Sequence, residues 1–332
     1  MSRKTIAHLA VVGIAVLTLG LEGGCAEKAQ PRRVGVLCGL NYISGVVDGL
    51  RAKMTDLGWV EGRDIVYIVE RTNFEPDREK AIIERFVEDE VDVVLSCPTE
   101  ASILSKNVLE GTGIPLVFTY ANIEDMGIVE SIRHPGGNVT GVRYPGPDIA
   151  VQRLEILLEI VPSARALLVP YQRGYPIVPL QIEVLDVVAE KRGVKLVYVP
   201  ADNGADLKHQ IAALAPEDRD SIDGILIIVE PLAVSPDAFS ALAEFARPRR
   251  LPCGGALMVT DGYRSLFSAN SDIEDSGRQA AVQVDRVLKG ASAGDLPVLS
   301  AEASLEIVNG AAHELGVTIP EGVLARATVV HR

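Results

Sequence analysis

Short aliphatic runs alternate with longer amphipathic segments through most of the chain. Val34–Cys38 and Gly224–Val229 contain almost no polar side chains, which is typical of strands buried on both faces of a sheet. Val178–Arg192 and Ile273–Leu288 carry apolar residues at helical spacing, and glycines close behind them, Gly193 and Gly290, mark their ends. The alternation predicts an α/β fold built on parallel sheets.

The strand–helix pattern restarts near Tyr144-Pro145-Gly146-Pro147, a proline- and glycine-rich break. A chain of 332 residues is long enough for two cores. We therefore predict two doubly wound parallel-sheet lobes joined by a hinge, with a cleft between them. The predicted first lobe is residues 33–143 plus about 270–297, and the second is residues 144–269 plus about 298–332.

The first residues have the organisation of an export signal. Arg3 and Lys4 precede an uncharged stretch that is too short to span a bilayer comfortably, and Gly24 and Cys25 follow it. We predict that residues 1–24 are a signal peptide and that residues 25–32 are a lipidated Cys25 with its tether. Glu22 departs from the usual lipoprotein pattern, and an ordinary secreted protein is the alternative. The expected location is outside the cytoplasm, facing the periplasm or the extracellular side, with the lipid anchor as the sole membrane attachment.

The charge balance argues against a nucleic-acid partner, and the absence of catalytic motifs argues against an enzyme. The chain has 45 acidic against 32 basic residues, whereas a nucleic-acid surface needs a basic face, so we predict no nucleic-acid partner. There is no GxSxG, HExxH or P-loop pattern, and the histidines are scattered. The sequence thus predicts no enzyme activity, no metal site and no cofactor.

Three cysteines remain after the predicted signal and Cys25: Cys38, Cys97 and Cys253. Their odd number and wide spacing exclude a disulfide framework or a zinc ribbon. We expect them to be small buried side chains near strands.

Candidate ligand-binding residues follow from the expected sheet geometry, because ligands bind beyond the carboxyl ends of parallel strands. Polar and aromatic residues follow several predicted strands. Ser44 could equally cap its helix, and Asp261 a turn. The candidates are Asn41, Tyr42, Ser44, Thr99, Tyr120 and Asn122 in the first lobe, and Tyr171, Arg173, Tyr175, Glu230 and Asp261 in the second.

Several blocks of sequence resemble one family in order and spacing. The most specific runs from His134 to Val142, and others are Leu57–Gly62, Ile114–Phe118, Gly277–Ala281 and Leu315–Pro320. These blocks resemble the ABC-transporter substrate-binding lipoproteins whose known members take up tryptophan and related aromatic amino acids. The resemblance implies a type I periplasmic-binding-protein fold, a monomer that closes on a small-molecule solute, and delivery to an ABC permease with its ATPase.

The expected ligand loops depart from that family. Asn122-Ile123 stands where members often have Asp-Pro, and Arg173 appears in a loop that often carries an acid. We therefore hypothesise a carboxylate-bearing or other anionic solute, clamped by Arg173 and flanked by Tyr171 or Tyr175. A solvated Arg173 is the alternative.

Two other functions stay open at this point. A sensor subunit that presents its closed form to a membrane sensor kinase would need the same fold and the same ligand-dependent surface. An extracytoplasmic enzyme is the third reading, although no nucleophile–base pair is visible in the sequence.

Overall fold

The computed structural model describes residues 30–332, except for the side chain of Tyr42. The predicted signal peptide and Cys25 lie outside the described residues. Within residues 30–332, we find no helix with the length and apolar character required to cross a membrane.

Strands and helices alternate along the described chain as the sequence predicts. In chain order the strands are β1 (Arg32–Cys38), β2 (Ile65–Arg71), β3 (Val93–Cys97), β4 (Leu116–Ala121), β5 (Val139–Arg143), β6 (Ala166–Gln172), β7 (Lys195–Ala201), β8 (Gly224–Leu226), β9 (Cys253–Gly254), β10 (Val259–Thr260), β11 (Tyr263–Arg264), β12 (Phe267–Ser271), β13 (Leu299–Ser300), β14 (Ala303–Val308) and β15 (Val329–His331). The helices are α1 (Gly45–Asp56), α2 (Pro76–Glu88), α3 (Thr99–Leu109), α4 (Gly146–Ile160), α5 (Val178–Arg192), α6 (Gly204–Ala213), α7 (Pro216–Asp220), α8 (Pro236–Ala246), α9 (Ile273–Leu288), α10 (Asn309–Leu315) and α11 (Glu321–Leu324).

The first lobe is built on a parallel sheet with the order β13-β5-β4-β3-β1-β2. Helices α1 and α9 cover one face of this sheet, and α2 and α3 cover the other. Burial on both faces explains why its central strands are nearly free of polar side chains.

Helices α1 and α9 approach each other through glycines. A Cβ atom on Gly49 would lie 1.9 Å from the carbonyl oxygen of Glu274, and a Cβ atom on Gly277 would lie 2.1 Å from that of Val46. Only glycine permits this close contact. The contact attaches α9, the helix that follows the second crossover, to the first lobe.

The second lobe is built on a parallel sheet with the order β7-β6-β8-β9. Helices α4 and α5 pack on one face, and α6 and α8 pack on the other. A third sheet, β12-β14-β15, extends this lobe, and a bridge between Gly255 and Ser268 connects it to the end of β9.

The chain passes between the lobes after β5, after β12 and after β13. Strand β13 pairs with β5 of the first lobe, so the last passage follows Ser300, slightly beyond the expected boundary at about residue 298. The exact lobe limits stay a prediction.

The predicted strand Gly224–Val229 is shorter in the structure, where β8 ends at Leu226. The carbonyl oxygen of the next residue, Ile227, accepts a hydrogen bond from Arg153 Nη1 at 3.1 Å. The N–H of Ile227 still donates to the carbonyl oxygen of Gly254 in β9 at 2.9 Å, so a side chain replaces strand pairing only at the Ile227 carbonyl, beside the cleft.

Candidate functional site

A cavity of about 880 Å³ lies between the lobes, at the carboxyl ends of both parallel sheets. Thr99 and Tyr120 line it from the first lobe, Arg153 and Glu230 from the second, and Asn270 from a crossover segment. This volume falls within the range of small-molecule sites, and polar groups from separate elements converge on it.

Tyr120 is held in an unusual backbone conformation at the end of β4. Its φ angle is +52°, in the left-handed region that disfavours residues with a Cβ, and the β4–β5 register shifts between Phe118 and Ala121. Such a conformation costs on the order of 1–3 kcal/mol and often marks a functional position. Here the irregularity places the Tyr120 ring at the cavity, 4.8 Å from the ring of Tyr144 between centroids.

Tyr144 connects this aromatic pair to the crossovers. It follows β5 at the first crossover, and its hydroxyl donates a hydrogen bond to Oδ1 of Asn270 in β12, at the second. The two rings therefore form an apolar surface at the point where the lobes join.

Arg153 is the basic residue among the described residues that line the cavity. Its side chain is only 3% exposed, and its Nε and Nη1 groups donate to the carbonyl oxygens of Ala269 (2.8 Å) and Ile227 (3.1 Å). No carboxylate among residues 30–332 lies within ion-pair distance of it, but the carboxyl of Glu230 interacts with its charge at longer range. Burial lowers the pKa of the guanidinium from its ordinary value, although nearby Tyr144, Tyr120 and Glu230 oppose the shift. An anionic group on a ligand would pair with the guanidinium directly.

Hydrogen-bond acceptors without partners also line the cavity. Glu100 Oε2, Asn122 Oδ1 and the Ser271 hydroxyl oxygen are buried and have no hydrogen-bond partner among the described residues. Burial raises the pKa of the Glu100 carboxyl. Buried polar atoms are normally satisfied, so these acceptors are suited to a ligand that carries N–H or O–H donors.

Gly146 makes room for one of these acceptors. A Cβ atom at this position would lie 2.4 Å from Asn122 Oδ1. The glycine at the start of α4 therefore lets the Asn122 side chain sit against the second lobe.

The cavity is acidic apart from Arg153. Five acidic residues line it: Glu100, Glu230, Asp272, Glu274 and Glu306. This balance favours a ligand that presents positive charge as well as an anion.

Glu230 organises the loop that carries it. It accepts hydrogen bonds from the backbone N–H groups of Gln172 (3.0 Å), Leu232 (2.7 Å) and Ala233 (2.8 Å). Burial nevertheless raises the pKa of its carboxyl, although these donors and Arg153 oppose the shift.

The structure brings together five of the residues nominated from the sequence. Thr99, Tyr120, Asn122, Tyr175 and Glu230 all line the cavity. Thr99 also holds the loop in place, because its hydroxyl accepts a hydrogen bond from the N–H of Asn122 at 3.0 Å. Whether each residue touches a ligand stays a prediction.

The structure places Arg173, the predicted clamp, away from the cavity. Arg173 is exposed and donates to Asp202 Oδ1 and Asp206 Oδ2, both at 3.1 Å, and it does not line the cavity. The end of β6 directs this side chain toward Asp202 in the loop after β7 and Asp206 in the first turn of α6, and these two acids satisfy its charge.

Four other nominated residues lie away from the cavity lining. Tyr171 packs edge-on against Tyr198 beside the core of the second lobe. Asp261 is exposed and its carbonyl oxygen accepts from Arg247. Asn41 is exposed, and the Ser44 side chain makes no capping hydrogen bond although it precedes α1. The side chain of Tyr42 lies outside the described residues.

Sequence reasoning missed Arg153, Glu100 and Tyr144. The signal for Arg153 was present, because it lies four residues from both Ile149 and Leu157 on the apolar face of α4. A charged residue on a buried helical face needs a structural or functional reason. Glu100 and Tyr144 had no comparable local pattern.

Among residues 30–332, no group of three or more His, Cys, Asp or Glu side chains is arranged to hold a metal ion.

Two α/β lobes around a polar cleft at their strand ends define a ligand-binding protein of the type I periplasmic-binding class. Structural neighbours share this fold. A conserved domain protein from Vibrio cholerae O1 biovar eltor is 27% identical, with a TM-score of 0.74 covering 91% of this chain and 100% of that one. A protein from Streptococcus pneumonia in complex with L-Trp is 22% identical, with a TM-score of 0.74 covering 91% of this chain and 100% of that one.

A curated relative is the tyrosine-binding protein of Clostridioides difficile (strain R20291), 23% identical over 79% of this chain and 73% of that protein. A family model described as ABC transporter substrate binding protein matches residues 40–331. The chain belongs to this family, which confirms the resemblance and the predicted fold class.

The family and these relatives are solute-binding proteins, so the prediction that the chain is not an enzyme is confirmed. Substrate-binding proteins of ABC transporters are extracytoplasmic and take a small-molecule ligand to a transporter.

Proposed function

We propose that the chain closes its two lobes on a small aromatic amino acid and delivers it to a membrane permease driven by a separate ATPase. The observation that carries this proposal is the convergence of Arg153, Glu100 and the Tyr120–Tyr144 pair on one cavity. An α-carboxylate, an ammonium and an aromatic ring are the groups that these side chains would receive.

The carboxylate is assigned to Arg153. A buried guanidinium that forms no direct ion pair within the described residues is a strong partner for a carboxylate, since hydrogen bonds between ionised groups are roughly twice as strong as neutral ones. The hypothesis of an anionic group on the ligand is therefore kept, with Arg153 in place of Arg173.

The ammonium is assigned to the acceptors around Glu100. Both Glu100 Oε2 and Asn122 Oδ1 lack partners among the described residues, and an ammonium offers three donors. An amine on the ligand would also balance the excess of acidic residues around the cavity.

The aromatic group is assigned to the tyrosines. Tyr120, Tyr144 and Tyr175 line the cavity, and offset or tilted aromatic contacts add about 0.5–1.5 kcal/mol beyond area burial. Proteins related to this one include a tyrosine-binding protein and a complex with L-Trp, which agrees with this chemistry.

Lobe closure is supported by apolar side chains at the rim. Phe74 of the first lobe is 43% exposed, and Val234 and Leu257 of the second are 38% and 37% exposed, although all three line the cavity. Hinge closure around a ligand would bury these facing side chains and stabilise the closed form.

The ligand assignment is tested by calorimetry and thermal shift on the purified protein. The panel contains L-tyrosine, L-tryptophan, tyramine, tryptamine, the corresponding desamino acids, and ribose as a sugar control. We expect the amino acids to bind at least tenfold more tightly than either analogue that lacks one charge. A saturating amino acid at 100 times its Kd should add about 2.7 kcal/mol to the free energy of unfolding. Tighter binding of ribose, or no binding of any aromatic compound, would overturn the assignment.

Delivery and anchoring are tested in cells. Loss of the gene should abolish uptake of the labelled ligand, and uptake should return with the wild-type gene. Uptake that is unchanged after gene loss would contradict the transport role.

The predicted lipid anchor is tested separately with Cys25→Ser, which should release the protein from the membrane fraction. A variant that stays in that fraction would reject lipidation at Cys25.

A further inference from the structure

Two buried thiols lie side by side at the carboxyl end of the first sheet. Cys38 is the last residue of β1, Cys97 is the last residue of β3, and the two are direct partners in the parallel register. Their Sγ atoms are 3.6 Å apart, and neither side chain is exposed. Cys253 is buried in β9 of the other lobe, where it serves as an internal control.

The backbone separation suits a disulfide. Neighbouring strands lie about 4.7–4.9 Å apart, and the Cα atoms of disulfides usually lie about 4.4–6.8 Å apart. The sulfur atoms would have to approach from 3.6 Å to about 2.05 Å. That change is small enough for side-chain rotation with a slight adjustment of the strand ends.

The surroundings favour attack by one of the two sulfurs. The Cys97 thiol donates a hydrogen bond to the Cys38 sulfur, and Arg71 is the register partner of Cys38 on the opposite side. Both contacts lower the pKa of Cys38, and the thiolate is the form that attacks disulfides.

We propose that Cys38 and Cys97 form an intramolecular disulfide in the exported protein. The reaction is thiol–disulfide exchange with a small-molecule or protein disulfide, which the oxidising extracytoplasmic compartment supplies. The Cys38 thiolate attacks one sulfur of the oxidant and displaces one thiol. The Cys97 thiolate then attacks the mixed disulfide at the Cys38 sulfur and displaces the second. The protein loses two electrons and two protons, and the oxidant leaves as two thiols.

The new bond would lie directly under the ligand site. Pro98 and Thr99 follow Cys97 and line the cavity, and Gly39 follows Cys38 and donates its N–H to the carbonyl oxygen of Cys97 at 2.7 Å. The disulfide would therefore join the two strand ends that support the first-lobe wall of the cavity. Because both sulfurs are fully buried in the finished fold, the oxidant reaches them late in folding, after β1 and β3 have paired and before the strand ends are covered.

The test is a thiol map of the full exported chain. The protein is unfolded, refolded with oxidised glutathione, and alkylated in denaturant before and after reduction, with the modified cysteines located by peptide mass spectrometry. We expect Cys253 to be alkylated without reduction, whereas Cys38 and Cys97 are alkylated only after reduction. The intact protein should also be lighter than its reduced form by two hydrogen atoms.

Two matched variants serve as controls. Cys253→Ser should leave the protected pair unchanged, and Cys97→Ser should make Cys38 available for alkylation or for glutathione adduct formation. Free alkylation of Cys38 and Cys97 in the refolded wild-type protein would overturn the proposal, as would separate glutathione adducts on the two residues. If Cys97→Ser fails to fold, the maps of the wild type and of Cys253→Ser still decide the outcome.

Discussion

Replacement of Arg153 by methionine tests the anion site while keeping most of the side-chain length. The substitution removes the buried cavity-lining guanidinium. A hydrogen bond to a charged group contributes about 1.5–3 kcal/mol, so the Kd for L-tyrosine or L-tryptophan should rise about 10- to 150-fold. The Kd for tyramine or tryptamine should change little, because those amines have no carboxylate.

The same substitution should also weaken the fold. The carbonyl oxygens of Ala269 and Ile227 lose their donors, and each unsatisfied buried group costs about 1–3 kcal/mol. The relief of a buried unpaired charge offsets part of that loss. Urea unfolding measures the net change and fixes the conditions under which binding is compared.

Calorimetry compares the change in Kd for the amino acids with the change in Kd for the corresponding amines. Arg173→Met is the matched control, because its guanidinium lies on the surface with Asp202 and Asp206, and it should leave the Kd of both ligand types unchanged. Equal losses for amino acids and amines in Arg153→Met would refute the carboxylate contact. A selective loss in Arg173→Met would restore the clamp that the sequence first suggested.

Two further outcomes follow from packing and from titration. Gly49→Ala would place its Cβ atom 1.9 Å from the Glu274 carbonyl oxygen, so the free energy of unfolding in urea should fall by about 1–3 kcal/mol or more. A Cβ atom on Gly322 would have no other atom within 4 Å, so Gly322→Ala should be neutral or slightly stabilising. Equal changes in the free energy of unfolding for the two variants would contradict the close contact between α1 and α9. Because burial raises the pKa of Glu100 in the folded state, its contribution to stability is greatest below the unfolded pKa and is lost as the pH rises through the folded one. Glu100→Gln should therefore raise the Tm at pH 7, with a gain that disappears below about pH 4. A Tm gain of the same size at both pH values would contradict the cause given.

The alternation of strands and helices could be predicted because it depends on local periodicity. Helices α5 and α9 begin and end at the residues that the pattern indicated, since one face of each must be apolar to cover a sheet. The carboxyl-end rule likewise led to Thr99, Tyr120, Asn122 and other cavity residues. The rule identifies the loops but not the direction in which each side chain points.

The sequence by itself therefore determined an α/β chain of two lobes with candidate residues at its strand ends. Tertiary structure decided which charged side chains line the cavity and which pair with each other on the surface. Arg173 pairs with Asp202 and Asp206 on the surface of the second lobe. Arg153 instead donates to the carbonyl oxygens of Ala269 and Ile227, which are far away in the chain. Register likewise placed Cys38 beside Cys97, although 59 positions separate them. Such pairings arise from contacts between distant segments, and local sequence patterns carry no record of them.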